Sequence, residues 1–535
     1  MAALTLGGLL RGVDGARSTS AGFASLAVTD VRDDSRLVAP GDLFVAVPGT
    51  AADGRKFVAD AAARGAVALV VQAEGAEPPP ELAGVVVVTV PRARQALGVI
   101  AANRFGAAEA MTLLAVTGTN GKTTTTYLVE EMLRASGRAP GIFGTITYRA
   151  AGLAGGGRVA PLTTPGALML HALLADMRAV GTTDVVLEAT SHALEQGRLD
   201  GCRFRVAALT NLTQDHLDYH RTMGEYENAK AILFERLIEP ARGVAVTFAD
   251  DGAGRRMRAR AKASATLSVA RGPGAGARGA DVVVERHLFE PHGTHATLAT
   301  PLGTLEIATP LVGGYNLDNL ALAVGMAIAG GLEADAIVKG AARLPGVPGR
   351  LERVANARGV LCLVDYAHTP DALARAIAAV RPLVTSAPAP ASASASSGAR
   401  PGRLIVVFGC GGDRDRGKRP LMGEIAVRDA DLVVVTSDNP RTEDAASIAA
   451  MIVDGVQRAG GIELSAGALA AATRGYHLEI DRRAAICAAA AAAAPGDVLL
   501  IAGKGHEDYQ IVGTTRLHFD DREEAALALA AGAAA

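Results

Sequence analysis

Short apolar runs that end in glycine or in polar, turn-forming residues recur along the chain, separated by stretches with helical spacing. That alternation predicts buried strands joined by helices, an α/β organisation with mostly parallel sheets. In residues 1–107, DSRLVAPGDLFVAVPG (34–49) predicts strand, Pro-Gly turn, strand, and residues 52–71 predict a helix followed by a buried strand. Between 108 and 343, apolar runs end at Val116, at Glu188 and near Asn211. Four more runs, at 360–373, 404–420, 431–444 and 497–510, each pass from apolar to polar residues and predict a second open α/β sheet with its loops on one edge. LPGVPGRLERV (344–354) is punctuated by Pro and Gly like a hinge, and TSAPAPASASASSGARPG (385–402) has the composition of a flexible surface insertion. The reading is of three domains, 1–107, 108–343 and 344–535.

The most informative stretch is LLAVTGTNGKTTTT (113–126). An apolar strand runs into a glycine-rich turn, and Lys122-Thr123 opens a helix. Gly118 and Gly121 let backbone N–H groups crowd around phosphate oxygens, the helix N-terminus adds positive potential, Lys122 reaches the β- and γ-phosphates, and the Thr123 hydroxyl suits Mg²⁺. Only two residues separate the glycines, where the general phosphate-binding pattern has four. Beside such a loop, Glu188 in TDVVLEATSHAL and His216 in NLTQDHLDYH, each past a strand end, suggest Mg²⁺ ligation, although imidazole is an unusual ligand for that cation. In MGEYENAKAILFERL (223–237), Lys230 shares a helical face with Tyr226, Leu233, Phe234 and Leu237. A bare ammonium there is costly, unless the chain snorkels to the edge of the face, and the spacing leaves both open. Asn316 and Asn319, one turn apart in GGYNLDNLALAVG, either cap a helix or touch a nucleotide. Ser35 with Arg36, and the turn 50–54, are surface loops or a seat for a phosphorylated ligand.

Composition sharpens this picture. Of 53 Lys+Arg only seven are lysines, at 56, 122, 230, 262, 339, 418 and 504, which leaves 46 arginines. The chain uses arginine for ordinary charge, so each lysine marks a place where a guanidinium does not serve. A formal net charge of −2 gives no reason to expect nucleic acid or an anionic membrane as partner. Four scattered cysteines without metal or disulfide spacing, no basic leader and no run of transmembrane length point to a cytoplasmic protein.

TGTNGKTT, EATSHAL, NLTQDHLDYH, YENAK, DYAHTPD, GCGGDRDRGKRP, DNPR and GKGHEDYQ follow one another in order. With them the chain resembles the Mur ligases over about residues 30–525. The central motifs are shared with folylpolyglutamate synthases as well, whereas DNPR and GKGHED are similar to the members that add 2,6-diaminopimelate to UDP-N-acetylmuramoyl-L-alanyl-D-glutamate in peptidoglycan synthesis. The resemblance implies a small UDP-binding α/β domain, a central P-loop ATPase domain and a C-terminal Rossmann-like domain. It also implies ligation by way of an acyl phosphate, with ATP and Mg²⁺ consumed or bound in a monomeric cytoplasmic enzyme.

The resemblance further implies residue roles. Thr117, Gly118, Thr119, Asn120, Gly121, Lys122, Thr123 and Thr124 would hold the ATP phosphates, and Asn316, Arg350, Asp365 and His368 the adenine and ribose. Thr123, Glu188, His216 and Lys230 would serve Mg²⁺, Lys230 as a carbamate formed from CO₂. Lys122, Glu188, His216 and Lys230 would thus be the catalytic set. Ser35, Thr50, Ala51 and Ala52 would take the UDP group, and Thr163, Thr164, Thr190, Gln196 and Arg198 the muramoyl dipeptide, while Leu162 stands where a family member has Asn. For the amino acid, a fixed guanidinium must read the second carboxylate of diaminopimelate, and Arg414 and Arg441 are at hand. Asp438, Asn439 and Pro440 come with Arg441, Glu507 would receive the distal ammonium, and Gly503 would let the backbone approach. Competing readings are a lysine-adding ligase, a P-loop kinase or transporter ATPase, and a UDP-sugar-binding module. The first would need another residue than Arg441; the last leaves Lys122, Glu188 and His216 without purpose.

Overall fold

The computed structural model describes residues 4–531 except 19, 50–52, 74–81, 83, 156, 275–278 and 387–400. It divides into two compact units: Met1–Val283 with Thr300–Gly303 and Ala321–Gly340, and Val284–Ala299 with Thr304–Leu320 and Ala341–Ala535.

The first unit begins with four parallel strands in chain order, Val31–Arg32, Leu43–Ala46, Ala68–Gln72 and Val86–Val90. Alternation along Leu43–Ala46 sends Leu43 and Val45 against the helix Ala93–Phe105 and Phe44 and Ala46 against the helix Val58–Ala63. The strand expected from residue 34 does not form. Ser35–Leu37 is a 3₁₀ turn, because the Asp34 carboxylate accepts from Arg36 N at 3.0 Å and draws the backbone out of a ladder.

The rest of this unit is a mostly parallel sheet. Thr112–Thr117 lies between Val206–Leu209 and Asp184–Glu188. Val244–Phe248 and Ala265–Ala270 extend it on one side, Pro140–Phe143 on the other, followed by antiparallel Thr147–Ala150 and Arg158–Val159. The apolar composition of these strands follows from burial on both faces. Because neighbouring strands are parallel, their carboxyl ends share one edge, which gathers Thr117, Glu188 and the chain after Leu209. The helix Lys122–Ala135 leaves that edge. The helix Met223–Ile232 continues without a break into a π-helical turn, Leu233–Leu237.

In the second unit five strands run parallel in the order Leu361–Asp365, Val498–Ala502, Leu404–Phe408, Leu432–Val435, Gly475–Leu478, with Glu352–Val354 antiparallel at one border. The four strands expected from the apolar runs are present. Gly475–Leu478 and the hairpin Tyr509–Val512/Thr515–His518 were not among the expectations. Helices Pro370–Ser386, Lys418–Asp429 and Ala445–Arg458 cover one face, Arg482–Ala492 and Asp521–Ala531 the other. The first of these runs two residues into the expected insertion, of which 387–400 lie outside the described residues. No helix among the described residues is long and apolar enough to cross a membrane.

Candidate active site

The glycine-rich loop of the first unit is built as its spacing suggests. Gly118 has φ 143°, and a Cβ there would stand 1.9 Å from Thr210 Oγ1, so only glycine fits. Asn211 clamps the loop: its Oδ1 accepts from Asn120 N at 3.1 Å and its Nδ2 donates to Asn120 O at 3.0 Å. Thr119 Oγ1 donates to Thr213 O at 3.1 Å and lies 3.2 Å from Tyr226 Oη. Gly121 is left-handed and ends the turn, and Lys122, Thr123 and Thr124 open the helix, the two threonines buried. Lys122 Nζ donates to Gly118 O at 3.0 Å and Thr119 O at 2.9 Å, so its ammonium lies over the loop.

Glu188 joins this loop to the next strands. Its Oε1 accepts from Thr123 Oγ1 at 2.9 Å and from Thr145 N at 2.9 Å, and its Oε2 from Thr145 Oγ1 at 3.0 Å. Gly144 makes room, since a Cβ there would stand 2.5 Å from Glu188 Oε1. Thr145 was missing from the expected set; a single threonine in an otherwise ordinary strand end carries no sequence signal. It continues the chain of hydroxyls to Thr163, 3.2 Å away. Thr164 Oγ1 donates to the backbone oxygen of Glu188 at 2.6 Å and lies 3.2 Å from Thr190 Oγ1. Thr190 also caps the short helix Ser191–Glu195, accepting from Ala193 N at 3.3 Å. Thr123, Glu188, Thr163, Thr164 and Thr190 therefore lie in one connected patch.

Lys230 does not snorkel. Its side chain is buried, the amine donates to Gly118 O at 2.9 Å, and it lies 4.3 Å from the centre of the Tyr226 ring. Lys122 donates to the same carbonyl. Burial first, and the charge of Lys122 second, push the Lys230 amine well below the ordinary lysine range.

His216 sits at the start of the helix Leu217–His220 with a left-handed φ of 55°, a strained backbone for a residue with a Cβ. Its ring meets His192 edge-on at 5.0 Å and Tyr226 at 6.0 Å. Deeper in, His220 Nε2 lies 2.9 Å from Ser191 Oγ and its Nδ1 3.2 Å from Glu195, which ties this segment to the one after Glu188. Among the described residues no three His, Cys, Asp or Glu side chains cluster as a metal cage. The oxygen atoms of Thr123 and Glu188, 2.9 Å apart, are nevertheless donors of the kind a hard divalent cation takes.

A cleft of ≈ 230 Å³ adjoins this patch, lined in part by Asp33, Pro48, Gly49, Arg94, Gln196 and Arg198. Arg94 donates to Pro48 O at 2.6 and 2.9 Å. Arg198 pairs with Gln196 Oε1 at 2.6 and 3.1 Å and donates to Thr164 O at 3.0 Å. Gln196 and Arg198 were expected to bind ligand; Arg94 was not. Ser35 is buried, two residues from Asp33. Thr50, Ala51 and Ala52 lie outside the described residues.

In the second unit, Asp365 is buried at a strand end, accepting from Leu351 N at 2.8 Å and Ala367 N at 2.9 Å, with burial raising its pKa. Tyr315 Oη is 3.5 Å away, and the Arg350 guanidinium lies 4.7 Å from the centre of the Tyr366 ring. His368 Nδ1 lies 2.8 Å from Tyr366 O, and Lys418 donates to His368 O at 2.8 Å. Asn316 and Asn319 do not cap their helix. Gly314–Ala329 already includes both, and Asn316 Nδ2 reaches back to Val312 O at 2.9 Å while Asn319 donates to Asn316 Oδ1 at 3.2 Å.

The DNPR and GKGHED loops meet. Arg441, left-handed at φ 53°, donates to Gly412 O at 2.8 Å, and Arg414 is exposed nearby, so that a Cβ on Gly411 would stand 2.9 Å from Arg441 Nη1 and 3.8 Å from Arg414 Cγ. Asp438, Asn439 and Pro440 are buried. Gly503, at φ 122°, packs beside Asp438, and Glu507 Oε2 accepts from Asn439 Nδ2 at 2.9 Å. Lys504, absent from the expected site, is fully buried among these groups. The scarcity of lysine and its place in the GKGHED motif were the sequence signals that marked it.

A unit with a glycine-rich loop between a strand and a helix, followed by a Rossmann-like unit, is an architecture of ATP-using ligases. Residues 28–105 match the model of the Mur ligase family, catalytic domain, residues 116–327 the Mur ligase middle domain, and residues 349–505 the Mur ligase, glutamate ligase domain. The chain belongs to the Mur ligase family. It is 44% identical over 520 residues to a UDP-N-acetylmuramoyl-L-alanyl-D-glutamate–2,6-diaminopimelate ligase of Geobacter metallireducens, covering 96% of each chain. It is likewise 44% identical to the protein of that name from Gloeobacter violaceus, over 94% of each. A solved structure of a ligase of the same name aligns with TM-score 0.66 at 33% identity, over 95% of this chain and 96% of that one. A MurF structure from Acinetobacter baumannii, at 20% identity and TM-score 0.57, shares the fold.

Proposed function

We infer that this chain is the ATP-dependent ligase that joins meso-diaminopimelate to UDP-N-acetylmuramoyl-L-alanyl-D-glutamate in peptidoglycan synthesis. The observation that carries the reading is the meeting of Thr123 with Glu188 beside two lysines that share the Gly118 carbonyl. A carboxylate that attacks the terminal phosphate of ATP approaches a polyanion, so fixed positive charge has to be present before the bond forms. Lys122 supplies it at the phosphates. The acyl phosphate then loses phosphate when the amine of diaminopimelate adds to its carbonyl carbon and the tetrahedral adduct collapses to the amide.

The loop Thr117–Thr124 holds the phosphates, and Asn316, Arg350, Asp365 and His368 hold the adenine and ribose. Ser35, residues 50–52, Thr163, Thr164, Thr190, Gln196 and Arg198 hold the UDP-linked dipeptide. Arg414, Asp438, Asn439, Pro440, Arg441, Gly503 and Glu507 hold the amino acid. Lys230 is carbamylated: a lysine kept neutral by burial is the nucleophile CO₂ needs, and loss of one proton leaves an N-carboxylate where a cation was disfavoured. Thr123, Glu188, His216 and that carbamate are the groups that would hold Mg²⁺, which supplies further charge neutralisation at the phosphates when bound. The protein works as a cytoplasmic monomer with domain limits at 107/108 and 343/344.

Phosphate release from ATP should need both the UDP-linked dipeptide and meso-diaminopimelate, with L-lysine a poor substitute. A guanidinium left unpaired when lysine binds supports discrimination approaching ~10⁴-fold in kcat/KM. Arg441→Ala should raise the KM for diaminopimelate on the order of 10²-fold and leave that for ATP unchanged. Equal use of lysine by the unaltered enzyme would reject the assignment.

A further inference from the structure

Two acids and an amide of the second unit enclose a single amine. Lys504 is fully buried, and its Nζ lies 3.5 Å from Asp438 Oδ1, 3.2 Å from Asn439 Oδ1 and 3.5 Å from Glu507 Oε2. The ring of Tyr509 closes a fourth side, its centre 5.5 Å from the amine. The surrounding frame is tied down. Asn439 Oδ1 also accepts from Ile511 N at 2.9 Å, and Gln510 Nε2 donates to Asp438 O at 2.7 Å. Beneath them Arg482, paired with Asp521 at 2.7 Å, donates to Ser437 O at 3.1 Å and to Ala502 O at 3.0 Å. The lysine thus stands where two loops from different strands meet, and each loop brings one acid to it.

We propose that Lys504 is a positioning residue for amino-acid binding, an internal ammonium that holds the carboxyl groups of Asp438 and Glu507 at fixed separation so that the site can accept the amine of the incoming amino acid. The inference rests on the amino-acid site proposed above. A buried and a half-buried carboxylate, Asp438 and Glu507, placed side by side repel each other unless a cation stands between them. Glu507 feels that conflict: burial and Asp438 raise its pKa, and Lys504 opposes them. With Lys504 in place the three ionisable groups sum to one negative charge, which favours a second, mobile ammonium. A compact point charge with three rotatable donors serves oxygens on two loops, whereas a planar guanidinium in the same space does not, which accounts for a lysine here in a chain that otherwise prefers arginine.

The test is steady-state kinetics on the full chain with meso-diaminopimelate as the varied substrate. Lys504→Met should raise its KM by 10-fold or more, leave the KM for ATP within twofold, and not be rescued by Lys504→Arg. The KM of Lys504→Met should also fall more steeply with rising pH than that of the unaltered enzyme, as Glu507, its pKa raised by burial and by Asp438, regains its charge. The groups that face Glu507 are Asp438, Asn439 and Lys504, with Tyr366, Tyr509 and Arg482 beyond. An unchanged KM, or equal losses in kcat and in both KM values, would overturn the inference. If Lys504→Met does not fold, Glu507→Gln and the double variant Lys504→Met/Glu507→Gln decide it. The double variant should match the single within twofold in KM, since a neutral partner leaves the lysine little to hold, and additive losses would overturn the proposal. An unaltered enzyme that does not depend on diaminopimelate would instead reject the reading on which the inference rests.

Discussion

Two lysines of this chain are buried almost completely, and they are opposites. Lys230 meets a carbonyl, the face of a tyrosine and the charge of Lys122. Lys504 meets two carboxylates and an amide oxygen. The cost of burying the ammonium is similar at the two places; only the second repays it. Burial that is not repaid favours the neutral amine, while a lysine set between carboxylates serves as a strut. Side-chain burial alone therefore says little about what a lysine does, and the charge of its immediate neighbours says most of it.

The largest effect expected from this contrast is on turnover. Lys230→Ala should lower kcat on the order of 10²–10³-fold or more, as loss of a preorganised charged group at a phosphoryl-transfer site does. Short-chain carboxylic acids should restore part of the rate by filling the vacated anion position. Lys230→Arg should be equally slow and not respond to them. An active Lys230→Arg enzyme would end the carbamate reading and leave Lys230 a plain buried amine.

A smaller effect, and one of opposite rank, is expected in stability. Removing Lys504 leaves the buried Asp438 and the half-buried Glu507 without their cation, and Lys504→Met should cost about 3 kcal/mol in unfolding free energy. Lys230→Met removes an uncompensated group and should cost less than about 1 kcal/mol in CO₂-free buffer. Chemical denaturation of both variants measures this, and equal losses would erase the distinction between them.

The smallest effect is a slope. The Lys230 pKa lies below its unfolded value of 10.5 in the folded chain, so between those two values the unfolded chain binds more protons, and stability rises with pH across that window. Lys230→Met should show a flatter rise in Tm than the unaltered protein over the same window in CO₂-free buffer, and parallel curves would mean that the amine stays charged.

Much of this was legible in the sequence, for identifiable reasons. The glycine-rich loop was legible because a strand-to-helix turn of that tightness demands glycine at fixed spacing, and Gly118 is sterically committed by Thr210. Glu188 was legible because it ends an apolar run, and a run's end is a strand's end. Lys230 was placed on the apolar face by simple periodicity, but whether it snorkels depended on what lies opposite, which is set by Gly118, distant in sequence. Thr145 and Arg94 were invisible because they act through contacts made only when strands assemble. Of the two readings of the asparagines at 316 and 319, capping fails, which the sequence does not show because capping residues and residues that bond to a preceding carbonyl have the same composition, and only the start of the helix at Gly314 separates them. The strand Gly475–Leu478 was missed because it is short and opens with glycine.

The helix that carries Lys230 changes its hydrogen-bond span shortly after that residue, from the α pattern of Met223–Ile232 to the π turn Leu233–Leu237. Such a turn accommodates one residue more than an α-helix would in the same rise, and each residue of an α-helix advances the face by about 100°. The two halves of the helix are thereby phased independently, like two gears on one shaft with a set offset between them. The forward half is free to aim its lysine at the phosphate loop, while the rear half keeps Leu233, Phe234 and Leu237 in the core. Removing a single residue from the π turn would restore a continuous α-helix and force a choice between the two, so this segment should tolerate exchange of its side chains far better than any change in its length.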